Sequence, residues 1–196
     1  MTAKNASQLE GLASLLKKNN IEYGTLKNAD TKFKAFDYYT KKEGDFVNEG
    51  YTLAVNANQV HSVLARVLLE PITQVNDSNT YDITAWALPY AYGLKAVASN
   101  QTVKTKPLAI SSERPAIEKN AYAYASERKS IQDGEYLAAL IKAGLRVSYN
   151  EVPLTNGGKR WDMGSVFVLK TKNKHVPNLG EMVAKIAKET SQEVSA

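Results

Sequence analysis

One order of elements occurs twice in this chain, roughly 120 residues apart: helix, strand, loop, aromatic plus glycine, strand, helix. Self-similarity of this kind constrains the fold more than any single residue does, because each copy must repeat the same packing problem. In the first half, Ser7 precedes Leu9, Leu12, Leu15 and Leu16, the pattern of an N-capped amphipathic helix. It stops at Asn19-Asn20, and Ile21 to Leu26 alternates like a strand. After a polar, aromatic stretch, Phe46 and Gly50 lead into a second strand, Tyr51 to Asn56. Ser62 to Leu69 reads as a helix that ends ahead of Pro71.

In the second half, Glu135 to Lys142 is a helix closed by Gly144. Leu145 to Tyr149 alternates as a strand, a Gly157-Gly158 turn leads to Trp161 and Gly164, Ser165 to Leu169 is a buried strand, and Leu179 to Lys188 a helix. This half also has a strand in front, Ala121 to Ala125, for which the first half shows no counterpart, as though the chain had been cut just upstream. Strands separated by helices of this length predict an α/β fold: two similar halves with mostly parallel or mixed sheets flanked by helices. The expected organisation is residues 1–105 as the first half, 106–119 as a linker containing Pro107 and Pro115, and 120–196 as the second half.

Composition narrows function. The 196 residues suit one large or two small domains. No apolar run approaches the roughly 20 residues of a membrane-spanning helix, and Met1 to Ala6 shows no apolar signal-peptide core. Cysteine is absent, which excludes disulfides, thiolate metal sites and a cysteine nucleophile. His61 and His175 are the only histidines. The net charge of +5 is dispersed, dense only at Lys17-Lys18, Lys41-Lys42 and residues 170–174, so no nucleic-acid partner is expected.

The segment from Asn76 to Gly93 concentrates turn formers, carboxylates and aromatics. Asp82 suits the cap of a helix starting near Ile83, and Pro89 would kink or end that helix. Asp77, Asp82, Trp86, Tyr90 and Tyr92 form the candidate ligand or domain-interface set. The same residues also suit a capped, aromatic-packed corner.

Asp77-Ser78, Thr80 to Trp86 and Leu88 to Gly93, with Gly50 to Leu53, Gln59 and Leu68 to Pro71 upstream, resemble a stretch of large zinc carboxypeptidase-like proteins of Bacteroidetes-type bacteria, in the carboxypeptidase A superfamily. The resemblance extends through Tyr136 to Tyr149 and Trp161 to Leu169. It implies an accessory α/β region lying after the peptidase domain. It also implies a periplasmic or extracellular location, and zinc only in the peptidase domain outside this chain.

The residues agree with a non-catalytic reading. Zinc peptidases of that superfamily use a His-x-x-Glu pair and a distant His, but Leu64 follows His61 by three positions and Asn178 follows His175. No Gly-x-Ser-x-Gly elbow occurs. Asn156 to Arg160 lacks the spacing of a phosphate loop. The expectation is an accessory domain with no catalytic residues, metal ligands or cofactor of its own. It would pack on a peptidase domain in cis and shape substrate access; the alternative is a free-standing module binding peptides, cell-wall fragments or other glycans.

Overall fold

The computed structural model describes residues 1–3, 6–27, 31–48, 50–72, 87–109 and 116–196. They form two compact units, Met1–Ser112 and Glu113–Ala196. The first runs β1 (Thr2–Ala3), a 3-10 turn (Ala6–Leu9), α1 (Glu10–Lys18), β2 (Thr25–Leu26), a hairpin of β3 (Lys32–Asp37) and β4 (Glu43–Val47), β5 (Tyr51–Thr52) and α2 (Ser62–Leu69). Further on come α3 (Leu88–Ala91), β6 (Val97–Ala98) and β7 (Thr105–Lys106). The second unit runs β8 (Ala123–Ser126), α4 (Gln132–Lys142), β9 (Ser148–Tyr149), a hairpin of β10 (Leu154–Asn156) and β11 (Lys159–Trp161), β12 (Val166–Leu169), a 3-10 turn (Lys170–Lys172) and α5 (Leu179–Glu189).

The first helix of each unit ends in the same way. Asn20 adopts φ +54°, and the Ile21 amide donates to the Leu16 carbonyl at 2.9 Å. Gly144 adopts φ +77°, and the Leu145 amide donates to Leu140 at 3.1 Å. Both closures are Schellman motifs, and in each the residue past the turn is buried with the helix residue it bonds. Leu9, Leu12, Leu16, Ile21, Leu53 and Leu94 anchor the first core; Tyr124, Tyr136, Leu140, Val168, Val183 and Ile186 anchor the second.

Strand pairing repeats as well. In the first unit β5 pairs with β1, placing Thr52 opposite Thr2, and Ala54 exchanges both backbone bonds with Gly24 beside β2 at 2.9 and 2.7 Å. Lys95 bridges the outer side of β1. In the second, β12 lies between β8 and β9, and Ser195 bridges the outer side of β8. Each unit therefore has the fourth-first-third-second order of a split β-α-β motif, as in ferredoxin-like connectivity, with a hairpin inserted before the third strand.

Every strand pair among the described residues is antiparallel, which overturns the expected mostly parallel or mixed sheet. A helix does join β8 to β9, as the sequence pattern suggests, and another joins β1 to β2. The third strand then inserts between each pair in the opposite direction, so no two parallel strands become neighbours. The first unit also has its front strand. β1 pairs as β8 does, and it escapes notice because it is only two residues long. Pro89 lies in the first turn of α3, where its missing N–H costs nothing; the helix expected near Ile83, which it would kink or end, lies outside the described residues.

Buried Asn173 fastens the second unit internally. Its Oδ1 accepts the Arg146 amide at 2.7 Å, and its Nδ2 donates to the Arg146 and Leu169 carbonyls at 2.9 Å each. Gly180 is needed at the start of α5, because a Cβ there would stand 2.1 Å from the Lys119 carbonyl oxygen. Asn173→Ala leaves three backbone groups without partners and is expected to cost the second unit about 2–3 kcal/mol. Hydrogen exchange in α4 and α5 under increasing urea measures this. A loss below about 0.5 kcal/mol, within the range of a surface substitution, contradicts the clamp.

Candidate functional site

The two small sheets of the first unit leave a cleft of about 580 Å³ between them. Leu26, Thr52 and Ala54 line it from the split β-α-β side, and Phe33, Phe46 and Val97 from the β4-β3-β6 sheet. That size falls within the range of small-ligand sites. Phe33 and Phe46 stand opposite each other in the hairpin register with ring centroids 4.8 Å apart. They spend that contact on each other, which leaves room between the sheets.

The rim is polar. The loop after β5 contributes Asn56 and Asn58, the loop after β6 contributes Asn100 and Gln101, and the last turns of α2 contribute Arg66 and Glu70. Asn56 Oδ1 is already engaged by the Asn58 amide at 2.9 Å, and Ser99 Oγ donates to the Lys34 carbonyl at 2.7 Å. These bonds tie each loop to itself or to the hairpin.

A tyrosine cluster fixes the hairpin wall. Tyr90 on α3 donates its hydroxyl to the Tyr38 carbonyl at 2.5 Å and accepts from Lys41 Nζ at 2.7 Å. The Tyr39 ring meets the Tyr90 ring edge-on at 5.2 Å, and the Tyr38 hydroxyl donates to the Leu69 carbonyl. Burial, with smaller contributions from Tyr90 and Glu70, pushes the Tyr38 hydroxyl up to about 12. Asp37 shapes the turn itself: its Oδ1 accepts the Tyr39 and Thr40 amides at 2.8 Å each. The Thr40 bond is the main cause that holds its carboxyl below the ordinary value.

Of the five candidate residues from the sequence, Tyr90 and Tyr92 are described, and both pack. Tyr90 joins the small core of Tyr38, Ala87 and Ala96, and Tyr92 lies against the main core of the unit. Asp77, Asp82 and Trp86 lie outside the described residues, as does the helix start expected near Ile83. His61 is exposed ahead of α2, and His175 Nε2 meets the Gly144 carbonyl at 3.2 Å. Among the described residues no group of three His, Cys, Asp or Glu is placed to hold a metal ion, and no helix is long and apolar enough to cross a membrane.

Sequence reasoning passed over Phe33, Arg66, Glu70 and the amide loops. A signal for Phe33 was present: Lys32-Phe33-Lys34-Ala35-Phe36 begins with a strand-like alternation of polar and apolar residues. In the second unit the matching space is filled. Trp161 stacks edge-on against Phe167 at 5.8 Å, and Lys159 Nζ sits 4.1 Å over the Trp161 ring while donating to Ser195 Oγ at 2.8 Å.

No protein-family model, curated protein or solved structure matches the chain.

Tyr90→Phe removes a hydroxyl with two partners and should destabilise the first unit by about 1–2 kcal/mol, measured by urea unfolding. No loss would show that the hydroxyl does not hold the hairpin. Because the Asp37 carboxyl is held low in the fold, its contribution is complete above the ordinary aspartate value of 3.8 and disappears as pH falls through the depressed one. Asp37→Asn should therefore flatten the acid limb of the stability curve, and an unchanged limb contradicts the assignment.

Proposed function

We propose that this chain is a non-catalytic accessory region of a zinc carboxypeptidase-like protein, and that its first unit holds a short peptide in the cleft between its two sheets. One observation carries the binding reading: a cleft of about 580 Å³ that pairs an apolar floor of Phe33, Phe46 and Val97 with a rim of side-chain amides. Apolar walls with a few directional polar groups are the usual make-up of ligand sites. Asn and Gln amides offer both a donor and an acceptor, which match the alternating groups of a peptide backbone.

The accessory reading is supported by the sequence resemblance around Asp77 to Gly93 and by the lack of a His-x-x-Glu pair. Hydrolysis, and the zinc it needs, would then belong to a peptidase domain in cis that this chain packs against. The location proposed on the same grounds is outside the cytoplasm. The chain's own contribution would be to hold peptide near the entrance of that domain.

Titrating the 15N-labelled chain with tri-alanine, and separately with an N-acetylglucosamine trimer, tests the reading. Tri-alanine should shift the amide signals of Phe33, Phe46, Asn58 and Gln101, with saturation in the micromolar to millimolar range. The same chain with added zinc should release no alanine. Silence with tri-alanine contradicts peptide binding, a response to the sugar alone transfers the cleft to glycans, and zinc-dependent alanine release overturns the non-catalytic assignment.

A further inference from the structure

The two units differ at one edge of their sheets, and the difference leaves a row of backbone groups open. In the first unit Gly24 exchanges its bonds with Ala54, the next residue turns outward, and β7 covers that side with Lys106 opposite Thr25. In the second unit β9 ends its sheet. Ser148 pairs inward with Phe167, the Asn150 amide donates to the Ser165 carbonyl at 3.4 Å, and the Arg146 amide donates to Asn173 Oδ1 at 2.7 Å. By alternation the N–H and C=O groups of Val147 and Tyr149 face away from β12, and no described residue bonds them there. Such an edge is a template for another strand. We infer that it docks an extended acidic segment of a partner protein as an added strand.

Side chains beside the edge define the segment. Arg146 and Ser148 are two positions apart and share one face, where Lys172 Nζ donates to Ser148 Oγ at 2.9 Å. Arg146 and Lys172 are both exposed. The other face carries Val147, packed on the core of the unit, and exposed Tyr149. A segment of alternating acidic and apolar residues matches both faces: acids toward Arg146 and Lys172, apolar residues opposite Val147 and Tyr149. A second copy matches less well, because antiparallel pairing of two β9 strands would put both Lys172 side chains on one face near the junction. An added strand here also keeps ordinary sheet spacing. A Cβ at Gly24 would stand 2.6 Å from the Lys106 carbonyl oxygen, so Ser148, which takes that place in β9, closes the tighter path that β7 follows. This edge belongs to the second unit, so its partner is separate from the peptide of the cleft.

Fluorescence anisotropy of a labelled Asp-Val-Asp-Val-Asp-Val amide, titrated with the full chain, tests the docking. The valines should lie opposite Val147 and Tyr149, so their N–H groups are the ones that bond. N-methylating the valines should therefore weaken binding by about tenfold or more, whereas N-methylating the aspartates, whose N–H groups point away, should change it by less than about threefold. The same peptide with lysine in place of aspartate should not bind. Arg146→Glu combined with Lys172→Glu should abolish binding and leave the thermal unfolding midpoint unchanged, because both side chains are exposed. Equal effects of the two N-methylations overturn strand addition, as does displacement by an oligothymidylate of equal charge, which would show attraction by charge alone. Failure of the acidic peptide to bind also overturns it, and a chain that sediments as a dimer joined through this edge gives the edge to a second copy instead.

Discussion

An antiparallel strand lodged between two strands that a helix joins governs each unit. Once β5 stands between β1 and β2, or β12 between β8 and β9, the linking helix must cross one face of the small sheet. Alternation along the central strand then divides the residues: Val166 and Val168 enter the helix-packed core, while Phe167 points to the opposite face. The hairpin that precedes the central strand is the piece available to cover that second face. Its side chains decide whether the face is closed.

The two units resolve that choice differently. In the second, a Gly157-Gly158 turn with both φ values positive makes a tight hairpin and brings Trp161 down onto Phe167. Lys159 then clasps the arrangement to Ser195. In the first, the hairpin is longer, Phe33 and Phe46 pair across its strands, and β6 adds a third strand. Tyr90 holds this wall from outside through Tyr38 and Lys41. The aromatic segment that stands out in the sequence thus serves, in its described part, as the support of a site whose lining lies elsewhere.

Much of the local structure was legible. The helices around Leu12, Leu140 and Val183 follow from apolar spacing, and Asn19-Asn20 and Gly144 mark helix ends that the Schellman closures realise. Pairing was not legible, because a two-residue strand such as Thr2–Ala3 has no periodicity to detect. Strand direction was hidden for the same reason: helix-linked strands suggest parallel neighbours until a third strand is known to intervene. The cleft escaped because its polar members, Asn58, Arg66, Glu70 and Gln101, come from three separate segments and look like ordinary surface residues in sequence. Tyr90 looked like a ligand contact because an exposed aromatic and a packed one have the same letter.

Access to one face of one small sheet is thus the physical basis of the functional account. Hydrogen exchange followed by mass spectrometry, with and without saturating tri-alanine, measures that access directly. The account predicts slowed exchange in residues 52–58 and 97–105, with no change in residues 154–167, where Trp161 already occupies the equivalent space. Unaltered exchange throughout the first unit, or slowing confined to the second unit's hairpin, would contradict it.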